Sequence, residues 1–214
     1  MRMLRVTALL LVGVITLAVM ATAVAQVRET PPPRYGVAAD LRGYPQATPK
    51  MALQSAIQAI ELNRLDYLAA HLLDPEFVDR QIAVRLPLVQ EAADRELRLL
   101  RATQRQKPQQ VSLAERLPDQ PDQFAVAVDQ RARVLAFQLL VRDIQATLTE
   151  LPGQVKDLRR FLRLPEILAE GDTATASHPA VQDRQLFFRK IGSRWYIEDR
   201  QQATAAPQEA NPGK

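Results

Sequence analysis

The 214-residue chain has no cysteine, two histidines and seven glycines, and aromatic residues make up only 5% of it. Without cysteine there are no disulfides, no thiolate metal sites, no cysteine nucleophile and no lipid attachment through sulfur. His71 and His178 are too few for a histidine-rich metal centre, and neither has an H-x-x-x-H partner or an acidic cluster beside it. Neither GxGxxG nor GxxxxGK(S/T) occurs, and there is no G-x-S-x-G elbow around any serine. The common ATPase, dehydrogenase, zinc-hydrolase and serine-hydrolase classes are thereby set aside, and the expectation is no metal and no cofactor.

Charge of one sign is also scarce. Twenty-eight basic residues face 24 acidic ones, for a net charge of +4, and the two signs are interspersed along the chain. No dense basic run with interleaved aromatics appears, so nucleic acid is not an expected partner.

What is present begins at the N-terminus. Arg2 and Arg5 precede a run from Val6 to Val27 with no charged residue. Its leucine-rich first half has the length of a signal-peptide hydrophobic region, and Ala23-Val24-Ala25 supplies small residues at −3 and −1. Cleavage before Gln26 is expected, making residues 1–25 a signal peptide. The alternative is an uncleaved anchor, since 22 uncharged residues reach across a hydrocarbon core of about 30 Å. Either way the remainder is exported, to the periplasm or the cell exterior, and touches membrane only through that segment if it is not cut.

Residues 26–47 carry Pro31-Pro32-Pro33, Gly36, Gly43 and Pro45 without an apolar period, the composition of a flexible tether. Residues 201–214 are small, polar and proline-containing, and are expected to be a disordered tail. Between them, 48–200 should form a single domain. Thr48-Pro49 is an N-cap followed by proline at the first helical position, and Leu53, Ala56, Ile57 and Ile60 then share a face. Asn63 is a plausible stop. Asp66 and Asp74-Pro75 mark two more short helix starts. A longer helix is expected over 84–106 and a loop over 104–123, with a brief element at 111–116. A second long helix follows, over 123–151, and a short basic one over 155–164. Val134, Phe137, Val141, Ile144, Leu148 and Leu151 recur at steps of three and four, a stripe expected to pack on the 84–106 helix or to join two chains in a homodimer. After Gly171-Asp172 the pattern turns to strands: a Thr-rich run, then 184–190 and 194–199 around an Ile191-Gly192-Ser193 turn. Helices first and strands last give an α+β class: N-terminal helices and a long helical hairpin beside a small C-terminal antiparallel sheet.

Two stretches carry a family resemblance. Residues 48–77, a helix, a break and a short helix before Pro75-Glu76-Phe77, and the closing hairpin 187–199, FFRKIGSRWYIED, resemble the nuclear-transport-factor-two-like superfamily, also called cystatin-like, with its SnoaL-like members. The resemblance implies a helix–sheet frame into which 84–164 is a helical insertion. It also implies a pocket in which an imidazole or carboxylate does acid–base work, although that superfamily includes enzymes, binding modules and adaptors alike.

Four residues stand out as ligand-binding candidates. Tyr67 and His71 are four apart, on one helical face, and an imidazole suits proton transfer near neutral pH. Asp79 is the nearest acidic partner. Trp195 in the closing hairpin is either a stacking surface or core. A cation patch at Lys156, Arg159, Arg160 and Arg163 reads as a solvated helix end. The leading expectation is an exported, non-catalytic module binding a protein partner or small ligand in the cell envelope. The alternatives are a SnoaL-like isomerase or hydratase with His71 as acid–base, and a scaffold or oligomerisation protein built on the helical hairpin.

Overall fold

A computed structural model describes residues 31–106, 118, 120–151, 153–164 and 167–199. The expected signal peptide, the brief element at 111–116 and the C-terminal tail lie outside the described residues. Among those described, no helix is long and apolar enough to cross a membrane.

Helix α1 spans Pro49–Glu61 and starts as its sequence dictates: Thr48 Oγ1 accepts from Met51 N at 3.1 Å, with Pro49 just inside. It stops in a Schellman motif at Asn63, which takes φ 53° while Arg64 N donates to Ala59 O and Asn63 N to Ile60 O. A short helix α2, Leu65–Tyr67, runs directly into a π-turn over Leu68–Leu72, closed by Leu73 N donating to Leu68 O. Asp66 does not cap α2; it lies inside the first turn and pairs with Arg64 at 3.2 Å.

Helix α3 runs unbroken over Pro75–Gln106, so the third short helix and the long one expected from 84 are a single element. Asp74 caps it, its carboxylate accepting from Glu76 N at 2.9 Å. The apolar positions Val78, Ile82, Val89, Ala93 and Leu97 then continue as one buried stripe. Pro87 interrupts the backbone ladder but sits on the exposed side, where the carbonyl it leaves without a donor meets water. Helix α4, Pro121–Glu150, returns antiparallel. Val128, Ala132, Ala136 and Leu140, one every fourth residue, form the ridge that meets α3. Ion pairs Arg131–Glu96 at 2.7 Å and Arg85–Asp143 at 2.6 Å join the two helices. The expected 134–151 stripe is real up to Leu148 but packs elsewhere. Phe137, Val141, Ile144 and Leu148 lie against Tyr35, Val37, Leu73 and the α2 region, so the stripe is largely covered by the chain's own residues; Leu151 remains exposed.

Helix α5, Gly153–Leu162, leads to a four-stranded antiparallel meander: β1 Ala169–Glu170, β2 Thr173–His178, β3 Val181–Ile191 and β4 Arg194–Glu198. Gly192 at φ 62° makes the two-residue β3–β4 turn. Register places Phe188 opposite both Ala174 and Ile197, so one sheet face carries Ala174, Ala176, Phe188 and Trp195. That face buries Leu53 and Ile57 of α1 and Phe161 of α5. The fold is α+β, with a helical hairpin beside a small sheet. Arg189 of β3 ties the two parts together, bonding Asp74 at 3.1 Å and Glu76 at 3.0 Å at the start of α3.

Candidate functional site

The segment expected to be a tether is part of the folded body. Residues 34–46 form a strap over the π-turn and the end of the sheet, with Tyr44 and Gln46 buried. The strap begins with a minimal hairpin. Arg34 and Val37 exchange backbone hydrogen bonds of 3.1 and 2.9 Å around Tyr35 at φ 52° and Gly36 at φ 85°. Two left-handed central residues define a type I′ turn, and glycine takes the second position without steric cost. Tyr35 in that conformation costs about 1–2 kcal/mol. Its ring stacks on Phe137 at 4.9 Å and its hydroxyl donates to Asp79, which offsets the cost.

All four residues singled out in the sequence are held by this strap. Tyr67, 1% exposed, donates its hydroxyl to Asp40 O and accepts from Asp40 N, both at 3.0 Å, and stacks on Tyr44 at 4.2 Å. His71, 2% exposed, bonds Val37 O through Nε2 at 2.9 Å. A carbonyl only accepts, so Nε2 carries the proton. Trp195 is buried on the inner sheet face. Its backbone N donates to Gln46 O at 2.9 Å, while Gln46 Nε2 donates to Trp195 O and His71 O, each at 2.9 Å. Asp79 does not reach His71 as a partner. Its half-exposed carboxylate takes Arg34 Nη2 at 2.6 Å together with the Tyr35 hydroxyl, and Arg34 Nη1 also donates to Ala70 O at 3.1 Å.

The electrostatics match this closure. Burial holds the His71 imidazole below its ordinary value; the Val37 carbonyl opposes the shift, and Arg34 and Arg194 add to it. Burial likewise raises the Tyr67 phenol, and burial with the Asp79 carboxylate pushes Tyr35 up to about 12. A neutral imidazole and two protonated phenols result, each with its proton already directed at a group of the chain. Tyr67 and His71 do come together, with ring centroids 5.0 Å apart, but nothing leaves either tip open to a substrate. Among the described residues no three His, Asp or Glu side chains converge to hold a metal.

Sequence reasoning missed Arg34, Tyr35, Asp40 and Gln46. The signal available was Tyr35-Gly36, a two-residue pair with glycine at the second central position of a hairpin turn. The cations of α5 are mostly neutralised locally, Arg159 by Glu61 at 2.8 Å and Arg160 by Asp157 at 3.0 Å.

Open concave surface lies elsewhere. One side of the α3–α4 hairpin holds a groove of about 720 Å³, with Phe124 and Val128 as its apolar wall and Glu91, Asp94, Arg98 and Arg101 opposite. The Arg101 guanidinium sits 4.9 Å from the Phe124 ring centre. A smaller groove of about 330 Å³ lies between Tyr35, Phe137 and Arg142. Compared with known proteins, the chain matches no protein-family model, no curated protein and no solved structure.

Proposed function

We propose an exported, non-catalytic binding module of the cell envelope whose helical hairpin is the contact arm for a protein partner or small ligand. One observation carries this reading: the polar tips of Tyr67 and His71 are spent on the strap, whereas the larger groove opens between α3 and α4. Export is proposed on the uncharged run from Val6 to Val27 and the small residues Ala23 and Ala25 near its end. The nuclear-transport-factor-two-like kinship stays a proposal as well, supported by α1 lying on the inner face of the closing meander. In such a frame the interior would be filled by Phe161, Phe188 and Trp195 rather than by a ligand.

The test is a native mass spectrum of the chain recovered from the envelope of a cell that exports it. A bound second component, lost in Phe124→Glu and kept in His71→Gln, is the expected result. The reverse pattern, with both variants folded, would return the site to the strap-covered cluster and to the isomerase or hydratase reading.

A further inference from the structure

Among the described residues, one long face of helix α3 has no partner. Opposite the ridge that meets α4, Val84 is 72% exposed, Leu88 76% and Leu99 65%. Ala92 and Ala102 are exposed on the same side. At 100° per residue these five positions fall within a stripe of about 80°. Scattered exposed leucines are ordinary, but five apolar residues in one stripe along five helical turns, broken only by Arg95 between Ala92 and Leu99, mark an interaction face. Glu91 and Arg95 lie along the same stripe, both exposed and neither in an ion pair among the described residues.

The row is self-complementary. When two copies of α3 lie antiparallel about a two-fold axis near Ala93, the rise of about 1.5 Å per residue brings matching positions level to within roughly one residue. Leu88 of one copy comes opposite Leu99 of the other, Val84 opposite Ala102, and Glu91 opposite Arg95. A two-fold axis keeps each flank of the stripe against the same flank of its copy. Leu88 and Leu99 differ by about 20° around the helix, and Val84 and Ala102 share one bearing, so the matched pairs also lie on matching flanks. Ala92, near the axis, has too small a side chain to hold the helices apart.

We propose that the outer face of α3 is a homodimer interface, with Leu88 packed on Leu99 and Glu91 paired with Arg95 across the two-fold axis. This rests on the reading of the hairpin as a contact arm and names one occupant of it, a second copy of the chain. From Val84 to Ala102 the contact is about 27 Å long and one helix wide, which puts it at the small end of specific interfaces and makes the dimer concentration-dependent.

Sedimentation equilibrium of the full exported chain, from about 1 to 500 µM, tests this. The wild type should shift from monomer to dimer across that range, and Leu88→Glu, a surface change whose fold is checked by circular dichroism, should weaken association by about 100-fold. Glu91→Arg and Arg95→Glu should each weaken it roughly 3- to 10-fold, and the double variant should recover most of the loss. A wild type monomeric throughout overturns the proposal. So does a dimer indifferent to Leu88→Glu, or a double variant no better than the singles. The second component read through Phe124 in the native mass spectrum is independent of these outcomes, so the dimer and the binding-module reading fail separately.

Discussion

The strap-and-sheet end and the helical hairpin solve the same problem by different means. At the sheet end, large aromatic rings and buried polar groups interlock: Tyr44 on Tyr67, Trp195 and Phe188 over α1, and Gln46 bonded to two carbonyls from distant segments. In the hairpin, small residues bring two helices together along an alanine-rich ridge, ion pairs set the register, and large apolar side chains are left outside. The first arrangement consumes its chemistry internally, and the second displays it. The proposed contact surface is therefore read from the plain amphipathic helices rather than from the titratable, aromatic side chains.

Three measurements sharpen or break that contrast. The largest effect belongs to the sheet end, where Trp195→Ala should cost about 3–5 kcal/mol in urea unfolding, because the truncation empties the inner face between α1 and β3. The matched change on the arm, Leu88→Ala, should stay within about 0.5 kcal/mol. Comparable losses would erase the distinction. Next comes the ridge: Ala136→Leu should destabilise by about 1–3 kcal/mol, since the added methylenes have no room where α3 and α4 approach. An unchanged midpoint would mean the helices are held by their ion pairs rather than by close contact. The smallest effect is a slope. His71 is neutral in the folded chain and its imidazole is held below 6.5, so the unfolded chain takes up the proton first as pH falls. Its contribution is complete above about pH 6.5 and is lost as pH drops from there through the lower folded value. His71→Gln should flatten that part of the stability–pH curve, and a wild type with no slope there would show the imidazole reaches solvent.

Much of the architecture was readable because local chemistry and tertiary packing agree. Thr48-Pro49, Asn63, Asp74-Pro75 and Gly192 each mark a boundary through capping or turn geometry that acts within a few residues. The failures share a cause: they depend on partners far along the chain. Residues 34–46 have a linker's composition, and only the π-turn and β4 make them a strap. The stripe from Phe137 to Leu148 is visible as a period, but which surface covers it is decided by Tyr35 and Val37. At the site, Tyr67, His71 and Trp195 were legible as residues but their fastening to the strap was not, because spacing reveals a shared face and not what already occupies it.

The two hydrogen bonds between Gln46 and Trp195 also set an order of events. They span 149 residues, from the first described segment to the last strand. The hairpin of α3 and α4 can form from contacts within its own stretch, but the Gln46 end of the strap cannot fasten to the sheet until β4 exists. A ribosome will therefore have released nearly the whole chain before Gln46 is tied to the sheet, and any shortened product ending before Arg194 should leave the strap more open to proteases. A residue near the start of the described chain is thus among the last to be secured, which makes this end of the strap a seal on a finished molecule.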